Sequence, residues 1–281
     1  MNRHPLSVMT APIVCVTAGC TTSEDDELSV EEPLEIHVAV PRQGRLRRSS
    51  LAVTMRTPGA DAELAAGFLF TEGIIRREQD IAAIRATGAN SILATLGPTA
   101  QVDPARLDRQ SFVSSSCGVC GKRSIAAVFA LQRQRLPIGV PRVEPHVVHD
   151  LPRTQRAAQA TFDRTGGLHA AALFDPAGRL LSLYEDVGRH NALDKLIGAE
   201  LLAGRIPLNN RILLVSGRAS FELIQKACIA GIPVLAAVGA PSSLAVSLAR
   251  QSAMTLLGFV RDDRFNVYAD AGRLAEGVSF R

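Results

Sequence analysis

Tryptophan is absent and tyrosine occurs twice in 281 residues, leaving aromatics at 4% of the chain. A nucleic-acid module that stacks bases on exposed rings, such as an RRM or an OB-fold, has no platform here. Lysine is nearly missing: Lys122, Lys195 and Lys226 are the only lysines among 31 basic residues. Cysteine is scarce and odd in number, five spread over a long chain, which excludes a disulfide scaffold. No segment approaches the roughly 18 consecutive apolar residues of a membrane span. The longest apolar stretch, Leu244–Val260, is broken by Arg250 and by polar residues. Neither a G-x-G-x-x-G turn nor a Walker A loop is present, so the usual dinucleotide and P-loop readings lose their support.

What is present is aliphatic. Hydrophobic residues make up 47% and charged residues 21%, a composition for one large or two modest globular domains rather than a disordered chain. The net charge of +4 suits anionic small molecules as well as it suits RNA. Arginine forks match phosphate geometry bidentately, although codon usage alone also produces an arginine-rich basic set.

Near the N-terminus, Arg3, the apolar run Ala11–Val16 and Thr17-Ala18-Gly19-Cys20 carry the outline of a lipoprotein signal, but the run is short and Pro5 and Pro12 break it. Thr21–Glu27 is polar and acidic without periodicity, so residues 1–27 are expected to form a flexible tail. A first α+β domain follows over 28–148. Pro33–Val40 and Ser50–Met55 alternate as strands around the basic connection Arg42–Arg48. Asp61–Ile75 reads as a helix N-capped by Asp61 and ended at Gly73, and residues 86–110 read as a strand and a loop. Pro137–Val148 is the candidate linker.

A second domain is expected over 149–281. After a helical pattern at Pro152–Phe162, the order is strand Ala170–Phe174, strand Leu180–Tyr184, helix Arg189–Gly198, strand Arg211–Val215 and helix Ser220–Ala230. Strand Val234–Val238, helix Ser242–Leu257 and strand Phe259–Tyr268 complete it. This ββαβαβαβ order predicts an α/β fold with a largely parallel, helix-covered sheet led by an antiparallel hairpin. Ligands on such sheets sit where the strand–helix loops cluster, here Glu185–Arg189, Ser216–Ser220 and Gly239–Ser242. Backbone N–H groups at those helix starts, with Arg189 and Arg218, predict a concave anion site.

The most chemically loaded segment is Ser114–Lys122, SSSCGVCGK. It presents Cys117 and Cys120 from a small-residue loop ahead of the helical run Ser124–Gln132, with Lys122 and Arg123 adjacent. Both the helix start and the cations favour thiolate. Local spacing fits half of a zinc site, a dithiol that exchanges disulfides, or a thiolate that relays sulfane sulfur as a persulfide; two inert buried thiols are the bland alternative.

Taken together, several blocks resemble the FdhD/NarQ family, sulfurtransferases accessory to formate dehydrogenase. They are Glu31–Val38 (EEPLEIHV), Met55–Ile75 (MRTPGADAELAAGFLFTEGII), Ser115–Lys122 (SSCGVCGK), Thr165–Asp175 (TGGLHAAALFD), Glu185–Gly198 (EDVGRHNALDKLIG), Val215–Ala227 (VSGRASFELIQKA), Gly231–Val246 (GIPVLAAVGAPSSLAV) and Gly258–Tyr268 (GFVRDDRFNVY). The resemblance implies a cytoplasmic homodimer that takes sulfur from a cysteine desulfurase as a persulfide on Cys117, with Cys120 also in the motif. It implies delivery to the molybdenum cofactor, bis-molybdopterin guanine dinucleotide, before insertion into the formate dehydrogenase catalytic subunit; the rival is a non-catalytic carrier of that cofactor. Neither nucleic acid nor membrane is an expected partner.

The family's cofactor-contacting stretch matches Phe259, Val260, Arg261, Asp262, Asp263 and Arg264 here. Arg189, His190, Ser216 and Arg218 are further candidate contacts from the loop reading, each weighed against an ordinary role: solvated arginines, a His190 held by Asp186, an ion pair between Asp262 and Arg264. His169 reads equally as a core or hairpin histidine. The resemblance also implies a cytidine-deaminase-like second domain. A deaminase places a metal-binding His and a catalytic Glu at the first helix start and P-C-x-x-C at the next. Here Gly188-Arg189-His190-Asn191-Ala192 and Ser216-Gly217-Arg218-Ala219-Ser220 keep the His but neither the Glu nor the two Cys, so deamination is excluded and no resident metal is expected.

Overall fold

The apolar runs of the C-terminal half are short and continuous because the sheet they form is covered on both faces. The computed structural model describes residues 7–42, 45–103, 111–112 and 135–275. In chain order these form β1 (Val8–Thr17), β2 (Cys20–Ser29), β3 (Glu32–Arg42), β4 (Arg45–Arg56), α1 (Asp61–Thr71), β5 (Ile81–Gly88), β6 (Ser91–Leu96), β7 (Ser111–Phe112), α2 (Pro145–Ala158) and α3 (Ala160–Thr165). Then follow β8 (His169–Phe174), β9 (Leu180–Asp186), α4 (Arg189–Leu202), β10 (Ile212–Val215), α5 (Phe221–Ile229), β11 (Val234–Ala237), α6 (Ser243–Gln251), β12 (Thr255–Gly258) and β13 (Asn266–Ala269). No described helix is long and apolar enough to cross a membrane.

The six-stranded sheet has the order β13-β12-β11-β10-β8-β9. Only β10, β11 and β12 pair in parallel, with β8, β9 and β13 antiparallel at the flanks. The parallel part is thus narrower than the sequence predicts. Residues of β10 alternate between two cores: Leu213 and Val215 face α1, α4 and α5, while Ile212 and Leu214 face α2. A five-stranded sheet, β5-β6-β3-β4-β7, lies beyond α1. Leu64 and Ala65 of α1 pack on its Leu34, Ile36 and Ile92.

Between the two sheets, α1 and α4 cross at glycines. A Cβ on Gly198 would lie 1.8 Å from the Glu63 carbonyl oxygen, and one on Gly67 would lie 1.9 Å from that of Asp194. Backbones this close admit no side chain at either position. One apolar cluster consequently takes residues from both sheets, Val38 and Ala94 from one and Leu213 and Leu235 from the other.

Several expectations are corrected. Residues 8–29 are not a loose tail but the β1–β2 hairpin, fixed at its base by Val30 N–H donating to Ser7 O (2.9 Å) and by the Ser29–Thr165 hydroxyl pair (2.7 Å). In β1 the half-buried Ala11, Ile13 and Cys15 alternate with the exposed Pro12, Val14 and Val16, but both sets are apolar, so the sequence shows no period-2 signal. The expected boundary at 148/149 falls inside α2, whose Val147, Val148 and Leu151 all pack on the six-stranded sheet. Asp61 is the first residue of α1 rather than its cap, and its carboxylate instead takes the buried Arg56 guanidinium through two hydrogen bonds of 3.0 and 3.1 Å. The helix expected over Ser242–Leu257 stops at Gln251, and Thr255–Gly258 is a central strand. The strand expected over Phe259–Tyr268 is a loop followed by β13, making the order ββαβαβαββ.

Candidate anion site at the strand ends

Parallel β10, β11 and β12 send their C-terminal ends to one edge of the sheet. The turns after them are stitched together there: Gly239 N–H donates to Gly217 O (2.9 Å), Ser242 N–H to Ala219 O (3.0 Å) and Phe259 N–H to Gly239 O (3.2 Å). Antiparallel β8 starts at the same edge, and Ala170 N–H donates to Ser216 Oγ at 2.8 Å. This places His169 beside Gly217, where an added Cβ would lie 3.3 Å from the imidazole.

A cleft of about 510 Å³ opens between this edge and α2, lined by Arg156, Gln159, Gly167, His169 and Ser216 among others. A second hollow of about 620 Å³ lies over the loop after β12, lined by Arg261, Asp262, Asp263 and Arg264. Pro152 and Val238 belong to both walls, so the two are halves of one groove.

Burial, then the nearby Arg189 guanidinium and His190, keep the His169 pKa below the ordinary histidine value, with Arg218 adding to the effect. The imidazole is therefore held neutral in a cationic setting. On unfolding it takes up a proton first, so its stabilising contribution is complete above the ordinary value of 6.5 and is lost as pH falls towards its lowered one. The urea midpoint of His169→Gln is expected to fall less than that of the unmodified chain between about pH 7 and about pH 5. Equal falls would remove His169 from the acid response.

The segment Glu185–Lys195 divides its labour. Glu185 accepts from the Thr161 and Phe162 amides at the start of α3 (3.0 and 2.8 Å). Asp186, fully buried, accepts from Thr57 N–H (3.2 Å), Gly188 N–H (2.8 Å) and Asn191 (3.1 Å) and pairs with Lys195 at 2.7 Å. Lys195 also donates to Thr57 O at 2.8 Å, and Asn191 to Met55 O at 2.7 Å. These groups latch the β4–α1 corner to α4. His190 is not held by Asp186: its Nε2 lies 2.8 Å from Glu222 and 3.4 Å from Ser220 at the start of α5.

Of the other sequence-picked residues, Ser216 lines the cleft, Arg189 is half-buried near His169, and Arg218 is exposed at the same edge. Phe259 is exposed at a left-handed φ of 52°, and Val260 is buried in the apolar layer beneath the loop while also lining the second hollow. Arg261 folds back, donating to the Val238 and Val260 carbonyls at 2.8 Å each. Asp262, Asp263 and Arg264 stay exposed along the groove. Cys117 and Cys120 lie outside the described residues. Among the described residues, no group of three or more His, Cys, Asp or Glu is placed to hold a metal. Sequence reasoning missed Glu222, Arg156 and Gln159; the acidic residue in the first turn of α5 was the one available signal.

The model of the FdhD/NarQ family matches residues 29–275. Similar curated proteins include the sulfur carrier protein FdhD of Streptomyces coelicolor, 48% identical over 273 residues and covering 94% of each chain. That of Mycobacterium tuberculosis is 47% identical over 272 residues, covering 92% of this chain and 95% of the relative. A crystal structure described as a formate dehydrogenase accessory protein, from Desulfotalea psychrophila, shares the fold with a TM-score of 0.72 at 24% identity, covering 96% of this chain and all of that one. The match over most of the length, at nearly half identity, means that the chain belongs to the FdhD/NarQ family.

Proposed function

We propose that this protein is a sulfur carrier and sulfurtransferase that serves formate dehydrogenase. Cys117 accepts sulfane sulfur from a cysteine desulfurase, and the groove at the strand ends holds the guanine nucleotide end of the molybdenum cofactor as the acceptor, before that cofactor enters the enzyme. The loading step balances without a further reactant: the Cys117 thiolate attacks the terminal sulfur of the donor's persulfide, a new S–S bond forms, the donor's S–S bond breaks, and the donor cysteine leaves as thiolate. Two guanine nucleotides on one cofactor suit a two-fold homodimer with matching sites, working in the cytoplasm.

The observation that carries the reading is that His169 and Ser216 line one hollow and residues 260–264 the adjoining one, with Arg189 and Arg218 close enough to His169 to lower its pKa, in a member of this family. Glycine-rich turns keep the backbone low there, and exposed arginine supplies forked donors for phosphate. A deaminase-like ancestry for the six-stranded half is supported by His190 in the first turn of α4, the place where a deaminase carries its metal-binding His; here its Nε2 lies 2.8 Å from Glu222.

Calorimetry with guanosine diphosphate and mass spectrometry after incubation with a cysteine desulfurase test the two halves. The expected results are saturable nucleotide binding and a one-sulfur mass increase on the Cys117 peptide. Nucleotide binding without sulfur loading would favour a cofactor carrier that performs no transfer. Failure to bind nucleotide would remove the groove from the mechanism. Arg218→Gln is expected to weaken guanosine diphosphate binding about tenfold or more, the loss of a charged hydrogen bond, with unchanged thermal stability because the side chain is exposed.

A further inference from the structure

Two ribbons of opposite charge leave the body of the molecule. The β1–β2 hairpin pairs only within itself among the described residues and is about ten residues long, or roughly 33 Å. It is fastened at its base, by the contacts of Ser7 and Ser29 and by the Arg164–Glu27 ion pair. Farther out, Glu24, Asp25 and Asp26 are exposed on β2, and on β1 Val14 and Val16 are 62% and 73% exposed. A lone two-stranded ribbon with apolar side chains in water is marginal without a surface to lie on.

The second ribbon is the outer part of β3 and β4. Pairing of β3 with β6 ends at Ala39, and β4 meets β7 only at Ala52 and Val53, so Val40–Arg42 and Arg45–Arg48 extend past their neighbours. Arg42, Arg45, Arg47 and Arg48 are exposed, and Leu46 between them is 62% exposed. None of these arginines, nor Glu24, Asp25 or Asp26, forms an ion pair among the described residues.

We propose that two copies of this chain associate reciprocally, the acidic β1–β2 ribbon of each lying against the arginine-rich β3–β4 ribbon of the other. Each chain carries one ribbon of each sign, so a single two-fold operation satisfies both pairs at once. Val14 and Val16 on one side and Leu46 on the other supply the apolar centre, and the charges fix the register. The proposal names the surface that holds two copies together; it does not depend on what the groove binds or on Cys117.

Analytical ultracentrifugation of the full chain tests it with two charge-reversed variants. The first carries Glu24→Lys, Asp25→Lys and Asp26→Lys; the second carries Arg45→Glu, Arg47→Glu and Arg48→Glu. The unmodified chain is expected to sediment as a dimer whose dissociation constant rises at least tenfold from low to high salt. Each variant alone should be monomeric, because both of its ribbons then carry one sign. An equimolar mixture should form heterodimers, since each reversed ribbon meets its complement on the other variant. A monomeric unmodified chain, variants that dimerise as tightly as it does, or a mixture that stays monomeric would each overturn the proposal. Should either variant fail to fold by circular dichroism, the salt response decides, and a dimer indifferent to salt counts against it.

Discussion

Cys117→Ala is expected to abolish sulfur loading and, with it, maturation of formate dehydrogenase in a complemented cell. Guanosine diphosphate binding and the melting temperature should stay unchanged. The side chain is the proposed nucleophile, and alanine offers no atom to form the S–S bond. Lys122 and Arg123 close by in sequence favour the thiolate that the reaction needs. The other cysteines provide the controls. Burial pushes the Cys228 thiol up to about 11, so at neutral pH roughly one molecule in ten thousand carries a thiolate there, and Cys228→Ala should load sulfur normally. Cys20 is exposed on the hairpin and Cys15 is half-buried, so peptide mapping must separate them from the motif. A one-sulfur increase on the Cys20 peptide that persists in Cys117→Ala, together with normal maturation, would sink the assignment.

The legible parts of the sequence are those where one signal dominates. The alternation of Pro33–Val40 and Ser50–Met55 shows as paired β3 and β4, and the Ser216–Ser220 and Gly239–Ser242 turns are hydrogen-bonded together at one sheet edge, where β9 also ends. Legibility fails where one pattern serves two structures. Thr255–Gly258 is a run of buried residues directly after α6, and such a run reads equally as helix or strand. The turn between α6 and β12 lies at Ala253, at a φ of 55°, where no glycine marks it. At the site, Glu185–Lys195 looks like one functional block, yet Asp186, Asn191 and Lys195 spend their hydrogen bonds on the β4–α1 corner. Partners more than 120 residues away in sequence decide that role, and no local pattern carries them. His190 likewise finds Glu222 only because α4 and α5 start side by side.

Behind that helix pair sits a second large effect, this one on stability. Lys226 of α5 donates to both carboxylate oxygens of Asp194 on α4, at 2.9 and 2.8 Å, and to Thr71 of α1 at 2.8 Å. Burial works against the ammonium, but the Asp194 carboxylate, with Glu72 and Glu222 adding to it, outweighs that and raises the Lys226 pKa. Lys226→Met removes the cation and leaves Asp194 buried with the Thr71 hydroxyl, 2.9 Å away. Breaking one side of such a pair costs about 3–5 kcal/mol. Burial already drives the Asp194 pKa upward, and without Lys226 nothing of opposite charge in the pair restrains it. A carboxyl group whose pKa is higher in the folded chain than in the unfolded one stabilises the fold at low pH and loses that contribution as pH rises through the folded value. Lys226→Met should therefore be closest to the unmodified chain under mildly acidic conditions and fall away towards alkaline pH. Lys226→Met combined with Asp194→Asn should recover much of the loss and remove the pH trend, because the amide is neutral and can still accept from Thr71. Urea unfolding of the three variants across that pH range checks both. A Lys226→Met deficit that is independent of pH would show that packing, rather than the stranded carboxylate, sets the cost. The consequence reaches the groove: α4 begins with Arg189 and His190 and α5 with Glu222, so the buried Lys226–Asp194 pair helps hold the two helix starts in register where the anion is expected to bind.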